Sequence, residues 1–205
     1  MAAKFKNVVT EIDTTGSAQL LLRCTAGKVN LIKNIIVHNE NGSSSSFFLA
    51  FEDNSISTTS FPINAGTTTS GNQAVFTTPF VLEENDEVLL QTSVADQQVT
   101  LHYVELDAGV RQKYRMIGKS LTTADSADSF LTCPAGSTII VNLVNFFNQS
   151  GGTASNNLFT ITDSSTSTTK TIDKGSINNN SAATFHRTFV LESGDSLNFT
   201  PDEQP

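Results

Sequence analysis

The chain has 205 residues, of which 16% are charged, with 14 Phe, no Trp, two Cys and a net charge of −8 at pH 7. A chain of this length can bury a core without disulfides or metals, and its acidic balance repels phosphate backbones, which argues against nucleic-acid binding. No apolar run reaches the length of a membrane span, which argues against a membrane partner.

The opening segment, MAAKFKNVVTEID, alternates in polarity and lacks the apolar stretch of a signal peptide. It predicts a protein made and used without secretory export. The segment from Val29 to His38, VNLIKNIIVH, carries β-branched and apolar residues on both alternating faces and predicts a central strand covered on both sides. Glu40-Asn-Gly-Ser-Ser-Ser-Ser46 then reads as a loop, and FFLAF from Phe47 as the next strand. Further strands are expected at AVFTTPFVL, EVLLQTS and QVTLHYVEL, the last placing Val99, Leu101 and Tyr103 on one face and Thr100 and His102 on the other. Turns are expected at Ala26-Gly27, Asn41-Gly42, Ala65-Gly66 and Glu84-Asn85-Asp86. No window spaces its apolar residues by three and four, so no long helix is expected.

The same features return about 109 residues later. Cys24-Thr-Ala-Gly27 matches Cys133-Pro-Ala-Gly136, Phe80-Val-Leu-Glu83 matches Phe189-Val-Leu-Glu192, and Asn39 and Asp86 match Asn148 and Asp195, all at an offset of 109. Between them the offset slips to 110, where Asp53 with Thr58-Thr59 matches Asp163 with Thr168-Thr169. The slip is what a loop insertion between strands would give, and the lost residue is recovered before Phe189. The expectation is an all-β chain of two tandem antiparallel β-sandwich domains, jelly-roll or Greek-key in type, related by internal duplication. The first module spans residues 1–108 and the second 112–205. The second stops at the position of Asp96, without a counterpart of QQVTLHYVEL. That expectation leaves a sheet edge to be covered, either by an added strand or by the charges and prolines of PDEQP.

Residues able to carry chemistry are few. Cys24 and Cys133 occupy equivalent positions, which predicts small buried side chains, neither nucleophiles nor a disulfide. His38, His102 and His186 have no metal-ligand spacing. The acidic turn from Glu83 to Glu87, repeated in part by Glu192 and Asp195, offers oxygens that suit calcium or, more simply, a solvated hairpin. No G-x-S-x-G, phosphate-binding glycine loop or legible carboxylate pair is present, so neither an enzyme nor a cofactor is expected. Asn41, Asn148, Asn179 and Asn198 head N-x-S/T sequons that a sequence so rich in these residues produces by chance.

Charge is unevenly divided, with 5 basic and 12 acidic residues up to position 110 and 7 and 8 beyond it. Arg111, Lys113, Arg115 and Lys119 form one basic run at the start of the second copy. They read either as a partner interface for an acidic surface or as the solvated face of an alternating strand.

The succession Cys-x-Ala-Gly, Asn34-Ile-Ile-Val-His-Asn39, a Ser/Gly-rich turn, a Phe-rich strand and Phe-Val-Leu-Glu-x-x-Asp resembles accessory β-sandwich virion proteins of tailed bacteriophages, particularly those of marine cyanobacteria. The resemblance spans nearly the whole chain twice. It implies a non-enzymatic structural protein that binds other virion proteins, as a capsid decoration or cement protein or as a neck, tail or fibre component. It also implies a homo-oligomer, commonly a trimer, located in the virion and assembled in the host cytoplasm. A carbohydrate-binding receptor module is the other class in view, although this chain has no Trp and two Tyr, Tyr103 and Tyr114, to make a stacking platform.

Overall fold

The computed structural model describes residues 3–55, 59–108, 127–148, 155–178, 181–185 and 188–201. Within these residues every helix or strand assigned is a strand. The chain divides into two units, Met1–Gly118 and Lys119–Pro205.

Unit 1 contains β1 (Lys4–Ile12), β2 (Gln19–Arg23), β3 (Lys28–Asn39), β4 (Ser45–Asp53), β5 (Thr59–Thr68), β6 (Gln73–Phe76), β7 (Phe80–Leu82), β8 (Glu87–Thr92) and β9 (Gln97–Asp107). One antiparallel sheet has the order β1-β9-β3-β6, with β7 also pairing β3; the other has the order β2-β8-β4-β5. Alternation along the strands turns one face of each sheet inward. Ile12, Ile35, Val37, Val99, Leu101 and Tyr103 of the first sheet share a single core with Leu21, Leu49, Phe51, Val88 and Leu90 of the second. The two sheets therefore face each other as a sandwich.

Three local readings of the sequence change. AVFTTPFVL is two strands, because the segment 77–79, ending in Pro79, separates β6 from β7 and proline cannot donate to a ladder. Ala65 and Gly66 lie inside β5, opposite Phe48 and Phe47. The glycine is there for packing: a Cβ at Gly66 would lie 2.7 Å from the Phe47 ring. The inward residues of β3 are buried, whereas Leu31 and Ile36 on its outer face are half-buried. That strand is central in its sheet but fully covered on one side only.

Unit 2 contains β10 (Asp128–Thr132), β11 (Ile139–Val141), β12 (Val144–Asn148), β13 (Ser155–Asp163), β14 (Thr168–Ile177), β15 (Ser181–Phe185), β16 (Phe189–Leu191) and β17 (Ser196–Thr200). The order β10-β17-β13-β14 repeats β2-β8-β4-β5. Registers repeat as well: Ile35 opposite Phe76 becomes Val144 opposite Phe185, and Asn30 opposite Leu82 becomes Ile139 opposite Leu191. The extra residue that shifts the offset to 110 falls between β12 and β13, the counterpart of the Ser-rich loop before β4. Cys133, Val144, Phe146, Phe159, Leu191, Leu197 and Phe199 form the core of this unit.

Candidate functional site

Each unit ends in the same three-turn junction. Cys24 follows β2 and donates its N–H to the Asp86 carbonyl (2.9 Å), while Asn85 donates to the Cys24 carbonyl (2.9 Å). In unit 2, Cys133 donates to the Asp195 carbonyl (2.8 Å) and Gly194 to the Cys133 carbonyl (3.0 Å). The two thiols donate to the carbonyl four residues on, Lys28 at 3.4 Å and Ser137 at 3.3 Å. Gly27 and Gly136 both stand at φ 72°, a left-handed conformation that costs a side chain. Their N–H groups donate to Glu84 Oε2 (3.0 Å) and Ser193 Oγ (3.2 Å).

Carboxylates lock the remaining turns. Asp86 accepts N–H groups from Glu83 (2.8 Å) and Asn54 (3.2 Å), and Asp195 accepts them from Glu192 (2.9 Å) and Ser164 (3.0 Å). Asp53 and Asp163 each accept the N–H and hydroxyl of the serine two residues later, Ser55 and Ser165. The solvated-hairpin reading thus gives way at the two central aspartates, which are 2% and 8% exposed. They tie the β4–β5 turn to the β7–β8 turn in unit 1 and the β13–β14 turn to the β16–β17 turn in unit 2. Their recurrence in the repeat was the signal, and its structural meaning lay in the partners.

The chemistry of the junction is that of a brace. Burial raises the Cys24 thiol to about 11, where almost no thiolate exists at neutral pH. Burial also raises Asp86 to about 6, against the lowering effect of its two backbone donors and with Asp53 and Glu83 adding to the rise. Asp195 moves the other way, below the usual carboxylate range, because the Ser164 and Glu192 N–H groups stabilise its charge. Among the described residues no group of three or more His, Cys, Asp or Glu could hold a metal, and both thiols are free and buried.

The opposite end of each unit has a second brace. Asn39 donates to the carbonyls of Ser43 (2.9 Å) and Thr68 (3.1 Å) and accepts from Gln97 Nε2 (2.7 Å). Asn148 repeats one of these bonds, to the Ile177 carbonyl at 2.8 Å.

Of the other residues singled out in the sequence, those among the described residues do not converge. His38 Nδ1 lies 3.6 Å from Glu40 Oε1, His102 is half-buried on β9, and Tyr103 is in the core. Arg111, Lys113, Arg115 and Lys119 lie outside the described residues, as do Tyr114, Asn179 and His186.

What the surface does show is an apolar bias on one sheet. Among the described residues, of the exposed large apolar side chains Phe5, Val9 and Val75 lie on the outward face of the β1-β9-β3-β6 sheet, and Ile140 and Val190 on its counterpart in unit 2, directly opposite each other. Leu20, on β2, is the exception. Sequence periodicity cannot flag such residues, since an alternating strand conceals which face looks outward.

No protein-family model matches this sequence, and none of the curated proteins is similar to it. Among solved structures, the chain is similar to the crystal structure of PBSX exported protein XepA, with 13% sequence identity over 98% of this chain and 86% of that chain and a TM-score of 0.28.

Proposed function

We propose that this chain is a non-enzymatic structural protein of a tailed-phage virion that binds other virion proteins, as a decoration or cement protein of the capsid. The observation that carries the reading is the strand order of unit 1. Strands β1, β2, β3 and β4 alternate between the two sheets, as do β7, β8 and β9, and the resulting orders β1-β9-β3-β6 and β2-β8-β4-β5 are those expected of a double-sheet jelly roll. That architecture is common in capsid domains, and a fold by itself fixes no function. The motif resemblance to accessory virion proteins supplies the rest. We take the modules as residues 1–108 and 112–205, the assembly as homo-oligomeric, and the basic run Arg111, Lys113, Arg115 and Lys119 as a docking element for an acidic partner surface.

Both junction and core favour a binding role over chemistry. The buried aspartates spend their oxygens on backbone donors, and the cysteines sit in turns as unreactive thiols. Lectin domains also use jelly rolls, but burial of Tyr103 removes one of the two tyrosines from any sugar platform.

The test is immunogold labelling of purified particles of the phage that encodes the chain. Label over the head supports decoration. Label confined to neck, tail or fibres replaces it with that location, and particles lacking the chain overturn the virion reading. Charge reversal at Arg111 and Lys113 is expected to abolish incorporation; unchanged incorporation removes the docking role.

A further inference from the structure

Sheet edges expose unpaired backbone groups, and folded proteins blunt them with short strands, bulges, prolines or charge. Among the described residues, most edges of this protein are blunted. Strands β6, β7, β2 and β10 have five residues or fewer. Strand β5 contains Pro62 and pairs β4 across an irregular register, and β14 pairs β13 across another. Strand β1 is different: nine residues without proline, paired to β9 in unbroken register from Lys4 opposite Glu105 to Ile12 opposite Gln97. No described strand lies on its other side.

The side chains of β1 are as unusual as its edge. Val8 and Ile12 face the core, so Phe5, Asn7, Val9 and Glu11 face outward. Phe5 is 83% exposed and Val9 57%, four residues apart on one face and flanking Asn7. Charge is polarised along the strand, with Lys4 and Lys6 at one end and Glu11, followed by Asp13, at the other.

We propose that β1 is a self-association edge, pairing antiparallel with β1 of a second copy about a two-fold axis at Asn7. In that register each Phe5 lies opposite Val9 of the other copy, on the same face, and Asn7 lies opposite Asn7. Directly opposed residues share a face and interact most strongly, so both exposed apolar side chains gain a partner at once. The lysine end of each strand runs beside the carboxylate end of the other. A parallel pairing would set like charges together, and moving the antiparallel register by one face-preserving step would put Phe5 opposite Glu11 in one direction or opposite Asn7 in the other. The contact is isologous and closes after two copies. It is smaller than the roughly 800 Å² per partner of a standard interface, so association is expected to depend on concentration. The inference stands on unit 1 alone and is independent of the virion reading.

The test uses the full chain with single cysteines. Cα atoms directly opposed across antiparallel strands are about 4.5–5.5 Å apart, within disulfide reach, and the native thiols are buried. Under mild oxidation Asn7→Cys is expected to give a covalent dimer and Val9→Cys none. Sedimentation of the native chain is expected to show mass rising towards a dimer with concentration. The double variant Phe5→Lys and Val9→Lys, on exposed positions outside the core, is expected to weaken association roughly tenfold or more. A native chain that stays monomeric at every concentration, a dimer indifferent to the two lysines, or cross-linking through Val9→Cys in place of Asn7→Cys would each overturn the proposal.

Discussion

The two units share registers and junctions yet fill their cores differently. Four aliphatic positions of unit 1, Leu21, Val37, Leu49 and Leu90, correspond to Phe130, Phe146, Phe159 and Phe199 in unit 2. There Phe146 stacks on Phe199 with ring centroids 3.9 Å apart and meets Phe159 edge-on at 5.5 Å. In unit 1 the strand β9 adds Val99, Leu101 and Tyr103 to the core. Among the described residues of unit 2 no strand stands in that place, and larger rings sit where unit 1 has smaller side chains. Cores are packed to near-crystalline density, so one set of strand pairings accommodates either filling provided total volume is kept.

The largest expected effect breaks that packing. Phe146→Ala should destabilise unit 2 by about 3–5 kcal/mol, whereas Val37→Ala at the equivalent position should cost unit 1 roughly 2 kcal/mol. Hydrogen exchange read by peptide mass spectrometry separates the two units; equal losses would mean that ring packing contributes nothing special. Next, Leu90→Phe, which places the unit 2 residue in a core already holding β9, should overpack unit 1 at a cost of about 1–3 kcal/mol. A neutral or stabilising result in the same exchange experiment would show that the two cores are interchangeable.

Smaller changes should sharpen the likeness. Gly27→Ala and Gly136→Ala each place a side chain at φ 72° and should each cost about 1–2 kcal/mol. Unequal losses in thermal unfolding would mean that the junctions are not equivalent. The subtlest contrast is a slope with pH. Asp86 is raised from 3.8 to about 6, so the folded unit 1 binds more protons than its unfolded chain in that interval, and this group lowers stability as pH rises through it. Asp195 is lowered, so its contribution is present above the ordinary carboxylate value and is lost as pH falls. Asp86→Asn should flatten the decline of unit 1 between pH about 4 and about 6, and Asp195→Asn should reduce the loss of unit 2 on acidification below pH about 4, both measured by urea unfolding over the respective range.

Much of this architecture could be read in residues. Anchors such as Cys24-Thr-Ala-Gly27 and Cys133-Pro-Ala-Gly136 are turns, whose chemistry is local, and they set the repeat. The run of β-branched and apolar residues on both faces of VNLIKNIIVH marked β3, although it did not show that only one face is fully covered. Pairing order was not legible, because β9 inserts between β1 and β3 through contacts nearly a hundred residues apart in sequence. Gly66 looked like a turn because the Phe47 ring that requires it is distant in sequence. Asp86 looked solvated because burial is a property of its surroundings. Phe5 and Val9 were visible as an alternating pattern, but their outward direction depended on which side β9 and the opposing sheet lay.

The shared registers also pose a problem of recognition during folding. Strand β4 offers β8 the same ladder that β13 offers β17, and both pairs belong to one chain, so the backbone cannot tell a correct partner from its duplicate. Tandem copies are prone to such exchange. Discrimination must come from side chains: Leu49 directly opposes Leu90, and Phe159 directly opposes Phe199. Exchanging partners would put a ring against a leucine in both units, leaving one core overfilled and the other hollow. Divergence of the two cores thus acts as an address label, directing each strand to its own copy.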